Sequence, residues 1–312
     1  MFCISRNGFP YHAIGCLFLC MQFSAISCIA RHRADKEVWN GDVASLRDVD
    51  VTVAMPITKL KGISLQENIS KEAGRPANQG EPGVVIFGDS LVQHLSGEGT
   101  KRVAGAQMEL YKDMLPRVQR LEQDLGVPLR VRGISGNTIS QLIWRLTEGK
   151  EMVGPAPQVV SLLIGTNDLG SQSIRPSRIL EGIEFVLGML LAWGPNVRIV
   201  LHALFPRTDD LCKRHKLHHS KLKWCPQFTL DVQRSAFNEQ INKINMGIRR
   251  IAADKPRVMF FDCAHEFIEK KNGRQYLKYA MFKADALHPS FIQGAEAMVG
   301  CMRTPLERLL RT

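Results

Sequence analysis

Nucleophilic acyl transfer needs a hydroxyl, an imidazole and a carboxylate, and this chain carries them in four short blocks. Asp285 precedes His288 by three residues, close enough within one turn to accept a hydrogen bond from Nδ1–H. That bond fixes the imidazole tautomer and leaves Nε2 to take a proton from a serine. Ser90, in Gly88-Asp89-Ser90, follows a short apolar run, where a strand-to-helix turn would lift its hydroxyl over a sheet end. Gly136, in Gly133-Ile134-Ser135-Gly136-Asn137, lacks a Cβ, so a substrate can approach its N–H closely. Asn167, in Gly165-Thr166-Asn167-Asp168, offers a side-chain amide. With the N–H of Ser90 these are the donors an oxyanion hole requires. Asp89 is expected to brace the turn rather than react. Taken singly, each block is an ordinary turn or helix start; their order along the chain gives them weight. The serine lies in Gly-Asp-Ser-Leu rather than Gly-x-Ser-x-Gly, so the α/β-hydrolase elbow is the wrong template.

An open parallel sheet would bring such blocks together, since its ligands bind outside the carboxyl ends of the strands. The pattern supplies one. Apolar runs predict strands at 84–87, 159–164, 197–201 and 258–261, and 129–132 is read as a further strand. Helical spacing predicts helices at 107–125, with Pro116 as a kink or break, from Thr138 to near Gly149, and at 176–194, 230–253 and 289–310. Near-continuous apolar strands alternating with helices imply a sheet covered on both faces. The expectation is a flavodoxin-like doubly wound α/β domain over residues 81–312. The intervals 91–105, 168–176 and 265–284 are read as loops around the site. Residues 35–80 show no sustained period and read as a linker or loosely packed arm.

Of 312 residues 45% are hydrophobic, enough for a real core, and the formal charge is +11. Part of that charge is local, in Arg6, Arg31 and Arg33 and in a cluster from Arg207 to Lys223. No aromatic–basic interleaving accompanies it, so nucleic acid is not an expected partner. The basic segment reads as a solvated loop, with weak contact to anionic membrane surfaces as the other reading. Residues 1–34 read as a leader: Ala13 to Ala30 is uncharged and apolar, with Arg6 upstream and small residues at Ser27, Cys28 and Ala30. A signal peptide fits best, which implies secretion or an endomembrane lumen; an uncleaved anchor and an organellar transit peptide are the alternatives. Cys3, Cys16, Cys20 and Cys28 would leave with it, whereas Cys212, Cys225, Cys263 and Cys301 stay. Cys212 and Cys225 could form a local disulfide in an oxidising compartment. Zinc on Cys212, His215, His218, His219 and Cys225 is the weaker reading, because paired spacings are missing.

The four blocks resemble those of the SGNH hydrolases, also called GDSL esterases and lipases. The superfamily's Ser, Gly, Asn and His fall on Ser90, Gly136, Asn167 and His288, with the acid on Asp285. The stretch Gly133 to Gly149, with Asn137-Thr138 and Trp144-Arg145-Leu146, is most similar to catalytic subunits of platelet-activating-factor acetylhydrolase. Leu204-Phe205-Pro206-Arg207 is similar to that group's Leu-Pro-Arg segment. The chain departs from these patterns with Asn137 where many members carry Asp, with Asp168, and with the basic Cys/His insertion. The resemblance implies a three-layer α/β/α sandwich on a five-stranded parallel sheet. It also implies a serine ester hydrolase working through an acyl-enzyme, with no metal or organic cofactor. The substrate would be a small ester or an acylated lipid or glycan. A carbohydrate O-acetyl esterase or acyltransferase, and a non-catalytic binding module on the same scaffold, are the competing readings.

Overall fold

Five short strands pair side by side, all parallel, in the order β2-β1-β3-β4-β5. In the computed structural model, which describes residues 46–57, 66–67, 83–96, 114–208, 231–235, 237–283 and 285–312, these are β1 (Val84–Gly88), β2 (Leu129–Gly133), β3 (Val159–Leu163), β4 (Arg198–His202) and β5 (Val258–Phe261). Every residue of β1 and of β3 is buried, as central strands covered on both faces must be. The order is that of the doubly wound flavodoxin-like fold, and it reverses direction at β1, between β2 and β3. This agrees with the fold class expected from the pattern. Register then decides where the blocks meet. Gly88 at the end of β1 is level with Gly133 of β2 and Leu163 of β3. Three of the four blocks therefore leave the sheet at one height.

Helices cover both faces. On one side α3 (Ile139–Leu146), α5 (Pro176–Trp193) and α6 (Asn238–Ala253) pack in a row; on the other, α2 (Met114–Leu125) packs with α8 (Gln293–Leu310). Short α1 (Ser90–Gln93) follows β1, and α4 (Thr166–Gly170) follows β3. Helix α3 starts on a capping box: Thr138 Oγ1 accepts from the N–H of Gln141, whose side chain accepts from the N–H of Thr138. Pro176 opens α5 at its first turn, where a missing N–H is no loss. Helix α2 is described from Met114, and it continues past Pro116 to Leu125. The predicted helix over 230–253 is shorter, because Asp231 caps a separate turn over Val232–Arg234 before α6 begins.

Three findings depart from the sequence reading. Residues 46–57 are not a loose arm. Leu46, Val51 and Ile57 are buried, the N–H of Arg47 donates to Ser173 O, and Ser140 Oγ donates to Val51 O. The 265–284 interval is structured: α7 (Ala264–Phe267) leads into an antiparallel hairpin of β6 (Ile268–Lys271) and β7 (Arg274–Leu277). Asn272 and Gly273 at its tip both have positive φ, the mark of a type I′ turn. The Asn-Gly dipeptide was the legible signal for it. Finally, Cys263 and Cys301 form a disulfide, with Cα atoms 5.9 Å apart. The leader, residues 209–230 with Cys212 and Cys225, and the zinc alternative all lie outside the described residues. Among the described residues no helix is long and apolar enough to cross a membrane.

Candidate active site

Asp89 sets the first wall. Its Oδ1 accepts from the N–H of Leu91 at 2.9 Å, capping α1 and holding Ser90 in the first turn. The carboxyl is fully enclosed, and burial pushes it up to about 6. It caps the turn and makes no hydrogen bond to Ser90 Oγ or to His288. Ser90 is 6% exposed, with its hydroxyl turned toward the last block.

That block is a tight loop between Phe282 and Pro289, which bridge one another. The N–H of Lys283 donates to His288 O, and the N–H of Ala286 donates to Lys283 O. Ala286 has a φ of +51°, a left-handed conformation uncommon for a residue with a Cβ. The bend turns the chain back so that Asp285 faces His288. Asp285 Oδ1 accepts from the N–H of Leu287 and of His288, and Oδ2 accepts from His288 Nδ1 at 2.7 Å. Since a carboxylate only accepts, Nδ1 carries the proton and Nε2 is left as the acceptor. Ser90 Oγ lies 2.8 Å from Nε2. Burial would raise the Asp285 carboxyl, but its bonds and attraction to His288 outweigh that and hold it well below the usual carboxylate range. It stays charged wherever the imidazole works as a base.

The donor side comes from the two central crossovers. The N–H of Asn137 donates to Ile134 O at 3.1 Å, and Gly136 has a φ of +79°. That is a type II turn, whose third position requires a residue without a Cβ clash. The turn is seated by the N–H of Ile134 on Gly88 O and by the N–H of Ser135 on Gln93 Oε1 at 2.6 Å. A Cβ on Gly133 would fall 2.1 Å from Gln93 N, so only glycine lets α1 close on β2. Asn167 stands in the first turn of α4 and donates Nδ2 to Asn137 O at 2.9 Å. Its second amide hydrogen is the one a substrate oxygen can use.

Two supporting groups escaped the sequence reading. Gln93 is one. Asp168 is the other: its carboxylate accepts from the N–H of Ile139, tying the third block to the start of α3. Burial, with Asp89 nearby, pushes it up to about 7. Gln93 had no motif of its own, and Asp168, although it closes the third block, carried no sign of the bond it makes. Arg207, read as the start of a solvated basic loop, is instead buried. It donates to Thr166 O and Oγ1 at 2.8 Å and lies 4.4 Å from the Phe237 ring centroid. Among the described residues no group of three metal-ligating side chains occurs.

A model of the GDSL-like lipase/acylhydrolase family matches residues 86–291. Among solved structures, an acylhydrolase from Bacteroides fragilis is similar over 82% of this chain and all of its own, at 17% identity and a TM-score of 0.55. A structure from Streptococcus pneumonia described as a platelet activating factor aligns over 78% of this chain and 94% of its own, at 21% identity and a TM-score of 0.52. A GDSL-like lipase from Bacteroides thetaiotaomicron covers 78% and 97%, at 16% identity and 0.52. At these identities the likeness is one of fold. A search of curated proteins finds no match.

Proposed function

The chain belongs to the GDSL-like lipase/acylhydrolase family and is an ester-bond hydrolase; from that premise we propose that it works as a serine carboxylic-ester hydrolase through Ser90, His288 and Asp285. One observation carries the reading: an unbroken line of contacts from Ser90 Oγ to His288 Nε2 at 2.8 Å and from His288 Nδ1 to Asp285 Oδ2 at 2.7 Å.

In the proposed cycle Ser90 Oγ attacks the ester carbonyl while its proton passes to His288 Nε2. The charge on Asp285 stabilises the imidazolium and keeps the ring oriented. The carbonyl oxygen becomes an oxyanion, which the N–H groups of Ser90 and Gly136 and the amide of Asn167 receive. Preformed donors in a water-poor site cost no reorganisation at that moment. Collapse breaks the ester C–O bond, and the departing alkoxide takes the proton from Nε2. The acyl group now rests on Oγ. Water, deprotonated by Nε2, repeats the sequence and releases the carboxylic acid. The substrate class we assign is a small ester or an acylated lipid or glycan. The buried Cys263–Cys301 bond further supports a secreted or endomembrane-lumen protein, since disulfides persist in oxidising compartments.

The test is an activity screen across acetyl, butyryl, octanoyl and lysophospholipid esters, with Ser90→Ala as control. Wild type should turn over at least one ester, and Ser90→Ala should lose at least about 1,000-fold. A fluorophosphonate probe should label wild type at Ser90. Full turnover by Ser90→Ala would sink the reading.

A further inference from the structure

Oxyanion donors are useful only if they stand at a fixed distance from the nucleophile, and Gly136 and Ser90 belong to separate crossovers. A side chain under both carries that distance. Arg145, on α3, is fully buried, as is its partner Glu151. All five of its N–H donors are used. Nε donates to Glu151 Oε1 at 2.7 Å, and Nη2 donates to Glu151 Oε2 at 2.9 Å and to Arg132 O of β2 at 2.8 Å. Nη1 donates to Gly88 O at 3.2 Å and to Asn137 Oδ1 at 3.1 Å. That one nitrogen therefore spans the strand end that launches Ser90 and the residue that closes the Gly136 turn.

Glu151 is itself held from both ends of its peptide. Its N–H donates to Arg145 O, and its carbonyl accepts from Arg132 Nη1 at 2.7 Å. The bidentate pair fixes the plane of the guanidinium, and the plane aims Nη1. Lysine has no fork and cannot hold that plane. A buried ion pair is a poor way to gain stability, because desolvation consumes most of the attraction. Rigid orientation is what such a pair supplies here. Asn137 fits the same logic: with Glu151 already neutralising Arg145, an uncharged acceptor at 137 suffices.

We infer that Arg145, locked by Glu151, is a positioning residue for the oxyanion turn, acting through Asn137 Oδ1 and Gly88 O to set Gly136 against Ser90. The inference rests on the esterase reading above and deepens it. Arg145 touches no substrate atom; it determines whether the donors meet the transition state or only the ground state.

The experiment compares wild type with Asn137→Ala, Asn137→Asp and the double variant Arg145→Met/Glu151→Met, which strands no buried charge. On a p-nitrophenyl ester, Asn137→Ala should lower kcat about 10- to 100-fold, the scale of a small misplacement in a preorganised site, with KM within about threefold of wild type. Inhibition by a boronic acid, whose tetrahedral adduct places an oxygen in the hole, should weaken in parallel. Asn137→Asp keeps an acceptor for Nη1 and should recover most of the loss. The double variant should resemble Asn137→Ala. Independently of activity, hydrogen exchange of a peptide spanning 133–138 should quicken in Asn137→Ala. Unchanged kcat and exchange in Asn137→Ala would overturn the inference. So would a kcat loss matched by a KM rise and a fall in melting temperature, the mark of general loosening. An inactive wild type, or turnover that survives Ser90→Ala, would instead count against the esterase reading, and the exchange measurement would still decide the clamp.

Discussion

Among the described residues two serine–histidine pairs stand at the same 2.8 Å separation, Ser90 with His288 and Ser161 with His202. Ser161 and His202 lie inside β3 and β4, shut off from solvent, and burial pushes the His202 imidazole down to about 4. It stays neutral and packs. His288 differs in having a carboxylate on its other nitrogen and partial access to solvent. Chemistry thus follows from the third group and the opening rather than from the pair. Asn167 donates one amide hydrogen to Asn137 O, and on the proposed reading the other meets the substrate oxyanion. Asn167→Ala should lower kcat about 100- to 1,000-fold, a loss of roughly 3–4 kcal/mol of transition-state stabilisation. Steady-state kinetics should show KM little changed; a loss confined to KM would mean that Asn167 binds the ground state only. Ser90, Asp285, His288, Gly136 and Asn167 could be named as candidates from the sequence because each lies in a short block with a recognisable neighbourhood. Gln93, Asp168 and Arg145 were not, since a supporting side chain is defined by what it reaches across the fold.

At the level of elements, the last block depends on a segment tied at both ends. Cys263 follows β5, Cys301 lies in α8, and between them come α7, the β6–β7 hairpin and the loop with Asp285 and His288. Phe267 packs between Phe205 and Phe282, so the hairpin region is a base for the turn that carries Asp285 and His288. The bond closes 38 residues, and chain-entropy arguments assign a loop of that size up to about 4 kcal/mol. The paired change Cys263→Ser/Cys301→Ser should therefore lower unfolding stability by roughly 2–4 kcal/mol in urea titrations. Stability equal to wild type would show that the cross-link constrains little. Sequence reading accounted for both cysteines but paired neither, because their partnership is set by where α8 crosses the end of β5. The hairpin carried its Asn272-Gly273 signal in plain view, but its strands are four residues each and too short for a clear alternating pattern.

Across the whole molecule, the active end of the sheet is built over buried acids. Burial holds Asp89 up to about 6 and Asp168 up to about 7, against about 3.8 in the unfolded chain. A raised acid binds more protons folded than unfolded, so its contribution to stability is present below about pH 4 and is lost as pH rises toward the folded value. Each such carboxyl can remove at most about 1.4 kcal/mol per pH unit in that window. Asp168→Asn keeps an acceptor for the N–H of Ile139 and removes the titration. Its stability relative to wild type should therefore improve steadily between pH 4 and pH 7, as read by melting temperature at several pH values. A difference flat across that range would refute the linkage. The face pays this penalty where three crossovers must be joined in a small space, and charge-accepting side chains join them.

From linear order alone one reads five strands, their helices, and the residues at the strand ends. Apolar runs, turn residues and motif spacing are local properties that survive without coordinates. Tertiary structure alone decided that Gly88, Gly133 and Leu163 end at one level, that Cys263 meets Cys301, that residues 46–57 pack, and that Arg145 bridges two crossovers. These are pairings between residues distant in the chain, settled by register and by crossover packing, and no local pattern encodes them.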